Sequence, residues 1–74
     1  MKLSDLKNDT TAEISEITAE EERMRRLTEL GIHAGNKVRV LQRTPFSGPL
    51  VIQVEETLIA LRFEEAQCIQ LKMN

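Results

Sequence analysis

The sequence is poor in aromatic residues and in cysteine. Its 74 residues include two phenylalanines but no tryptophan and no tyrosine. A groove lined with aromatic rings, which domains that bind proline-rich peptides use to grip a polyproline helix, therefore cannot be built. The only cysteine is Cys68, which excludes an internal disulfide and fits a reducing compartment.

The chain also lacks an excess of charge of either sign and any long apolar run. Ten basic and 12 acidic residues leave a net charge of −2, so we expect no nucleic-acid binding, which needs basic residues concentrated on one face. No apolar run approaches the roughly twenty residues that cross a bilayer, and the N-terminus has no signal-peptide core. We therefore expect a cytoplasmic protein with no direct membrane insertion.

Chemistry-bearing residues are equally sparse. The candidate metal ligands are only His33, Cys68, Glu64 and Glu65, and they lack the close pairing of Cys or His that marks a structural zinc site. The two adjacent glutamates are expected to diverge in a solvated turn, and His33 and Cys68 have no third group that would complete a catalytic set. We expect no enzyme activity, no cofactor and no metal site.

Length favours a single small domain over residues 1–74, with one modest core and little room for a deep catalytic cleft. Hydrophobic residues make up 41% and charged residues 30% of the chain, which is typical of a globular protein. With so few aromatics, leucine, isoleucine, valine and methionine must form the core.

Helical periodicity predicts one helix at about Ala19–Leu30. Thr18 and Glu21 have the spacing of a capping box, in which each side chain accepts from a backbone N–H near the helix start. The glutamates precede the arginines, as the helix dipole favours. Two ion pairs at i,i+4 spacing are expected along the helix: Glu21 with Arg25, and Glu22 with Arg26.

Two glycines punctuate the chain after this helix. With Gly31 just beyond the helix end, Ile32 and Leu27 occupy the two positions that touch in a Schellman motif. Gly35 is expected to turn the backbone into the first strand that follows. These roles leave neither glycine for a phosphate-binding loop.

The rest of the chain alternates apolar and polar residues, as half-buried strands do. A bulge is expected at Ser15 and Glu16, where the alternation of the first strand breaks. A turn between two strands is expected at Glu55–Thr57, and a single helical turn at Glu64–Ala66. The predicted strands are Thr11–Ile17, Lys37–Thr44, Leu50–Glu55, Leu58–Arg62 and Cys68–Lys72. Five short strands with tight links predict a mostly β fold, a closed or nearly closed barrel with one inserted helix.

Protein–protein contact is the function class that these observations leave. Leu41 lies on the polar side of its predicted strand, and Phe46 lies in a loop between two prolines. Either residue could contact a partner, or could pack against the inserted helix instead. From their expected exposure, Arg25 and Arg26 are further candidates for a partner surface.

The run from Arg26 to Val40, RLTELGIHAGNKVRV, resembles the core motif of the FeoA family, ferrous iron transport protein A. Further matches follow in the same order and spacing: Leu3, Leu6, Ala12, Ile14, Phe46–Leu50, Ile59–Arg62, Ala66 and Ile69. The resemblance implies an SH3-like barrel with a helical insert. It also implies a small cytosolic accessory protein of bacterial ferrous iron uptake that binds the FeoB transporter, a membrane protein. No catalytic or metal-binding residue comes with the motif.

The chain departs from this family pattern at Asp9 and at Glu56, where relatives often have glycine. Asp tolerates the left-handed backbone moderately well and Glu poorly, so the late hairpin is expected to use another turn type or an offset register.

Two alternatives to a transporter partner stay open. The same SH3-like domain forms part of metal-dependent repressors of the diphtheria-toxin-repressor type, so a stand-alone regulator of such a repressor is conceivable. A minor enzyme or metal chaperone would require His33 or Cys68. Homo-oligomerisation is compatible with either function, because short barrel edges can pair or stay single.

Overall fold

The structure, a computed structural model that describes residues 1–73, is built on one antiparallel sheet of five strands in the order β4-β3-β2-β1-β5. The strands are β1 Thr11–Ile17, β2 Lys37–Arg43, β3 Leu50–Val54, β4 Thr57–Leu61 and β5 Ile69–Lys72; the helices are α1 Glu21–Glu29 and α2 Phe63–Ala66, and Leu3–Asp5 forms a 3₁₀ turn. This confirms the predicted mostly β fold with one inserted helix between the first two strands.

The fully buried core on one face of the sheet is aliphatic, and Phe63 packs against it half-buried. Along β3, Leu50, Ile52 and Val54 are buried while the residues between them are half-exposed, as the two-residue period of a strand requires. The core residues are Leu3, Leu6, Ala12, Ile14, Leu27, Ile32, Val38, Val40, Leu50, Ile52, Val54, Ile59, Leu61, Ala66, Ile69 and Leu71. Burial of each larger aliphatic side chain stabilises the fold by about 1.5–3 kcal/mol before entropy is counted.

Two bulges bend the sheet. The β1–β5 register shifts between Ile14 and Glu16, which confirms the predicted bulge. A second shift, between Val40 and Gln42 of the β2–β3 pair, sets Leu41 off the ladder. Bulges increase strand bend and twist, so both help a small sheet to curve around its core.

Helix α1 begins later than predicted, and the predicted capping box is wrong. Glu20 is the N-cap and makes no side-chain cap bond, so Glu21 is the first helical residue instead of the third. Thr18 lies two residues before this N-cap and cannot cap the helix. Its N–H instead donates to the Cys68 carbonyl at 2.8 Å, which ties Thr18 to the start of β5.

Among residues 1–73, no helix is long and apolar enough to cross a membrane.

The helix end agrees with the prediction. Gly31 has a φ of +90°, its N–H donates to the Thr28 carbonyl at 3.0 Å, and the Ile32 N–H donates to the Leu27 carbonyl at 3.0 Å. These are the two hydrogen bonds of a Schellman motif, and both Leu27 and Ile32 are fully buried. The motif thus fixes the direction in which the chain leaves α1.

Gly35 makes the predicted turn into β2. Its φ is +95°, and its N–H donates to the Ile14 carbonyl at 2.7 Å. Asp9 also has a positive φ, of 63°, a backbone conformation that Asp adopts more readily than most residues.

The hairpin between β3 and β4 is predicted correctly in place, but its strained residue is Glu55 and not Glu56. Glu55 has a φ of +54°, a conformation that costs a side-chain-bearing residue about 1–2 kcal/mol. Its carboxylate accepts a 2.8 Å hydrogen bond from the Lys37 N–H, and its own N–H donates to the Lys37 carbonyl. These bonds offset the strain, and the β3–β4 register runs without the expected offset.

Candidate interaction surface

Helix α1 packs on the sheet through a narrow apolar side. Leu27 is its only fully buried residue, and Met24 and Leu30 are half-buried. The remaining side chains of the helix are mostly charged and face outward or toward α2. The helix therefore presents a charged surface on a barrel whose core is aliphatic.

An ion pair between Arg26 and Glu65 joins the two helices. The Arg26 Nε donates to Glu65 Oε2, and the Glu65 side chain is only 2% exposed while that of Arg26 is 45% exposed. The other carboxylate oxygen, Oε1, accepts a 2.9 Å hydrogen bond from the Arg62 N–H at the start of α2. The predicted helical turn at Glu64–Ala66 is confirmed, but the prediction of Glu65 as solvated is wrong.

The predicted i,i+4 pairs along α1 are also wrong for the part of the chain that the structure describes. Arg26 pairs with Glu65 of α2 instead of Glu22, and Glu20 pairs with Arg23 at 3.6 Å, one step closer than i,i+4. Pairing across helices is favoured because the buried Glu65 carboxylate needs a cation more than an exposed glutamate does.

The pKa of Glu65 lies below the ordinary range of a glutamate. Burial acts to raise it, but the hydrogen bond from the Arg62 N–H and the contact with the Arg26 guanidinium outweigh burial. The carboxylate is thus charged at neutral pH.

An open cleft of about 450 Å³ runs between α1 and the start of α2; we name it the α1–α2 cleft. Its lining consists of four arginines and four glutamates: Arg23, Arg25, Arg26, Arg62, Glu20, Glu22, Glu29 and Glu65. The structure therefore brings the predicted partner residues Arg25 and Arg26 together in one concave site. Arg25 makes no ion pair with any residue of the described range.

Phe46 and Leu41, the other two predicted partner residues, do not line this cleft. Phe46 is 100% exposed at the tip of the β2–β3 loop, which rules out its packing against α1. Its φ of +61° and that of Ser47, +59°, are strained, and such strain persists where the surroundings hold the backbone firmly. Leu41 is half-buried at the β2 bulge, and its contact with a partner stays a prediction.

Arg43 anchors the base of this loop, a role that the sequence did not indicate. Its Nη1 donates to the Ser4 carbonyl at 2.9 Å, and its Nη2 donates to the Leu6 carbonyl. Strand alternation places Arg43 on the polar side, which predicts a solvated side chain. Instead, it fastens the N-terminal 3₁₀ turn to the end of β2.

The expected exposure of His33 is confirmed. Its backbone N–H donates to Asn36 Oδ1 at 2.7 Å. Cys68 is half-buried, with its Sγ 3.4 Å from the Glu64 carbonyl oxygen. Within residues 1–73, no three side chains of His, Cys, Asp or Glu converge as metal ligands would.

Five antiparallel strands, an inserted helix and a small aliphatic core define an SH3-like domain. A sequence profile of the FeoA domain matches residues 1–73, and the chain belongs to the FeoA family, which is associated with ferrous iron transport.

Two solved structures support this membership. FeoA protein from Chlorobium tepidum is 36% identical, with a TM-score of 0.88 over 99% of this chain and 70% of that chain. FeoA from Stenotrophomonas maltophilia in complex with zinc is also 36% identical, with a TM-score of 0.83 over 97% of this chain and 89% of that one. It is described as a prokaryotic SH3 domain protein and a candidate activating factor of ferrous iron transport. No curated protein sequence matches the chain.

The fold is shared with larger regulators. A manganese-dependent transcriptional repressor superimposes with a TM-score of 0.92 at 23% identity, over the whole of this chain and 41% of the repressor. At this identity the likeness shows the SH3-like fold alone.

Proposed function

We propose that the protein is a cytoplasmic accessory of ferrous iron uptake that binds the cytosolic part of a FeoB-type transporter. Membership of the FeoA family supports the process, and the α1–α2 cleft supports binding as the activity. The observation that carries the proposal is that four arginines and four glutamates line one cleft, in which Arg26 holds the buried, charged Glu65 carboxylate.

Such a lining suits a protein partner. Arginine is enriched at protein interfaces, where its planar group binds carboxylates in a bidentate manner. Charges of both signs in the cleft favour a partner with the complementary pattern, and complementarity of this kind raises specificity and association rate.

Within the cleft, Arg25 is the residue placed to reach a partner. Arg26 already holds Glu65, whereas Arg25 is exposed and makes no ion pair within the described part of the chain. A carboxylate on the transporter would accept from its guanidinium.

Phe46 supplies a second, apolar contact outside the cleft. The side chain is fully exposed, and the end of β2 below its loop is anchored by the Arg43 hydrogen bond to the Ser4 carbonyl. An aromatic side chain has only two torsions to fix, so it offers a large contact area at a low entropic cost when it inserts into a pocket.

Calorimetric titration of the protein into the cytosolic domain of the cognate transporter tests the proposal. We expect binding in at least one nucleotide state, with an affinity that falls as salt is raised from about 50 mM to 500 mM, because the contact is charged. Phe46→Ala is expected to weaken binding by about tenfold without loss of fold. Absence of heat and of pull-down in every nucleotide state would refute the proposal.

The same titration with a metal-dependent repressor separates the second function considered above. Binding of the repressor and not of the transporter would assign the protein to transcriptional regulation, and the proposal of a transporter partner would be abandoned.

A further inference from the structure

The two edge strands of the sheet are protected very differently. At the β5 edge, the N-terminal segment lies alongside: Lys2 bridges to Gln70, and the Leu71 N–H donates to the Met1 carbonyl at 2.7 Å. At the other edge, β4 pairs with β3 only, and no segment among residues 1–73 covers its outer side.

The hairpin register determines which backbone groups of β4 point outward. Val54 and Thr57 close a two-residue hairpin, and such a closing pair exchanges both hydrogen bonds. Hydrogen-bonded pairs alternate along an antiparallel ladder, so the N–H and C=O groups of Leu58 and Ala60 point away from β3. The bond from the Glu55 N–H to the Lys37 carbonyl on the opposite side of the hairpin agrees with this alternation.

The sequence of β4 does nothing to prevent pairing at this edge. Thr57–Leu61, TLIAL, has no charge and no proline, the usual guards of an edge strand. Leu58 is 65% exposed and Ala60 is exposed on the outer face of the sheet. The strand therefore offers unpaired backbone groups together with apolar side chains.

We propose that two copies of the chain pair through β4, antiparallel about a two-fold axis at Ile59. Leu58 of each copy then lies opposite Ala60 of the other, and these two hydrogen-bonded pairs supply four backbone hydrogen bonds between the copies. The two sheets join into one sheet of ten strands. The occupant of the edge is thus a second copy of this chain.

The charged residues at the two ends of β4 favour antiparallel over parallel pairing of two copies. Glu56 precedes the strand and Arg62 follows it. Pairing about Ile59 places Glu56 of each copy beside Arg62 of the other, twice by symmetry. A parallel pairing in register would set each glutamate against a glutamate and each arginine against an arginine, which is unfavourable.

The contact is small, a single strand from each copy, so we expect a dissociable dimer in the micromolar to millimolar range. Sedimentation equilibrium over about 10 μM to 1 mM is the measurement. The mean mass should rise with concentration from 8.5 kDa toward twice that value. A mass that stays at the monomer value up to the highest concentration would overturn the proposal.

Ala60→Pro removes an N–H that points away from β3, so no bond to β3 is lost. Proline is tolerated at such positions of edge strands. It should leave the protein folded by circular dichroism and monomeric, while the matched variant Ala60→Val, which keeps the N–H, should dimerise like the parent. Equal dimerisation of a folded Ala60→Pro and of Ala60→Val would contradict pairing through this edge.

A charge exchange tests the register even if the proline variant does not fold. Glu56→Arg alone and Arg62→Glu alone should each weaken dimerisation by about tenfold, because each puts like charges at both ends. An equimolar mixture of the two variants restores both opposite-charge pairs, so it should form a heterodimer about as tight as the parent dimer. A mixture no tighter than its components would refute the antiparallel register. None of these measurements involves the transporter.

Discussion

The barrel and the α1 side of the molecule are held together by different forces. Inside the barrel, most larger side chains facing the core are aliphatic and fully buried. Helix α1, by contrast, is fixed by one fully buried residue, Leu27, and by the Arg26–Glu65 ion pair. Apolar burial is spread over many contacts, whereas an ion pair acts at one point and depends on pH.

This difference separates stability from recognition. Charged residues of the α1–α2 cleft can change without opening the core, because only Glu65 among them is buried. Apart from Glu65 and its partner Arg26, which are paired, substitutions of these surface residues are expected to alter stability by less than about 0.5 kcal/mol. The binding surface can therefore be altered to suit a partner while the barrel stays intact.

The largest effect is expected in the barrel. Ile52→Ala in central strand β3 removes a fully buried side chain, and we expect a loss of about 3–4 kcal/mol in the free energy of unfolding. Urea titration followed by circular dichroism measures it. The control is Leu58→Ala on the exposed face, with an expected loss below about 0.5 kcal/mol. Similar losses for the two variants would remove the distinction between core and surface.

A smaller loss is expected where α1 is tied to α2. Arg26→Ala leaves the buried Glu65 carboxylate with the Arg62 N–H as its remaining partner. We expect the free energy of unfolding at pH 7 to fall by about 2–3 kcal/mol. This is less than for a fully buried pair, because the Arg26 side chain is 45% exposed. The matched control is Arg39→Ala, whose pair with Asp9 at 3.3 Å is exposed on both sides; it should cost about 0–1 kcal/mol.

The pH dependence of stability distinguishes these two arginines further. Because the folded-state pKa of Glu65 is lowered, its stabilising effect is full above the unfolded-state value of about 4.3. It is lost as the pH falls from there through the lower folded-state pKa. We expect Arg26→Ala, and not Arg39→Ala, to flatten the decline of stability over this acid range. Parallel pH profiles for the parent and Arg26→Ala would contradict the assignment.

Apart from the control variants, the smallest loss of stability is expected at Gly31, which joins the two regions. Nothing lies within 4 Å of a Cβ built there, so Gly31→Ala meets no steric clash. The cost comes from the φ of +90° alone and should be about 1–2 kcal/mol in thermal or urea unfolding. A neutral or stabilising substitution would show that the Schellman ending is not maintained in solution.

Local and periodic features were predictable from the sequence, since each depends on neighbouring residues. The alternation along β3, the bulge after Ile14 and the ending at Gly31 are all of this kind. So is the hairpin position, although the strained residue proved to be Glu55.

The features that the sequence did not reveal depend on contacts between distant segments. Arg26 and Glu65 are 39 residues apart, as are Arg43 and Ser4, and no local pattern links either pair. The capping box failed for the same reason: Thr18 bonds to Cys68 across the sheet, and this tertiary contact displaces a local one. Of the candidate partner residues, Arg25 and Arg26 share one cleft, while Leu41 and Phe46 lie elsewhere.

The most direct test of the separation between binding and stability is a pair of charge reversals, Arg25→Glu in the cleft and Arg39→Glu on β2. Both side chains are exposed arginines, but only Arg25 lines the α1–α2 cleft. In calorimetric titration into the transporter's cytosolic domain, we expect Arg25→Glu to weaken affinity at least about tenfold, or about 1.4 kcal/mol. Arg39→Glu should bind like the parent. Arg25→Glu should unfold within about 0.5 kcal/mol of the parent, and Arg39→Glu, which loses its exposed pair with Asp9, within about 1 kcal/mol. Equal affinities for the two variants would contradict the account.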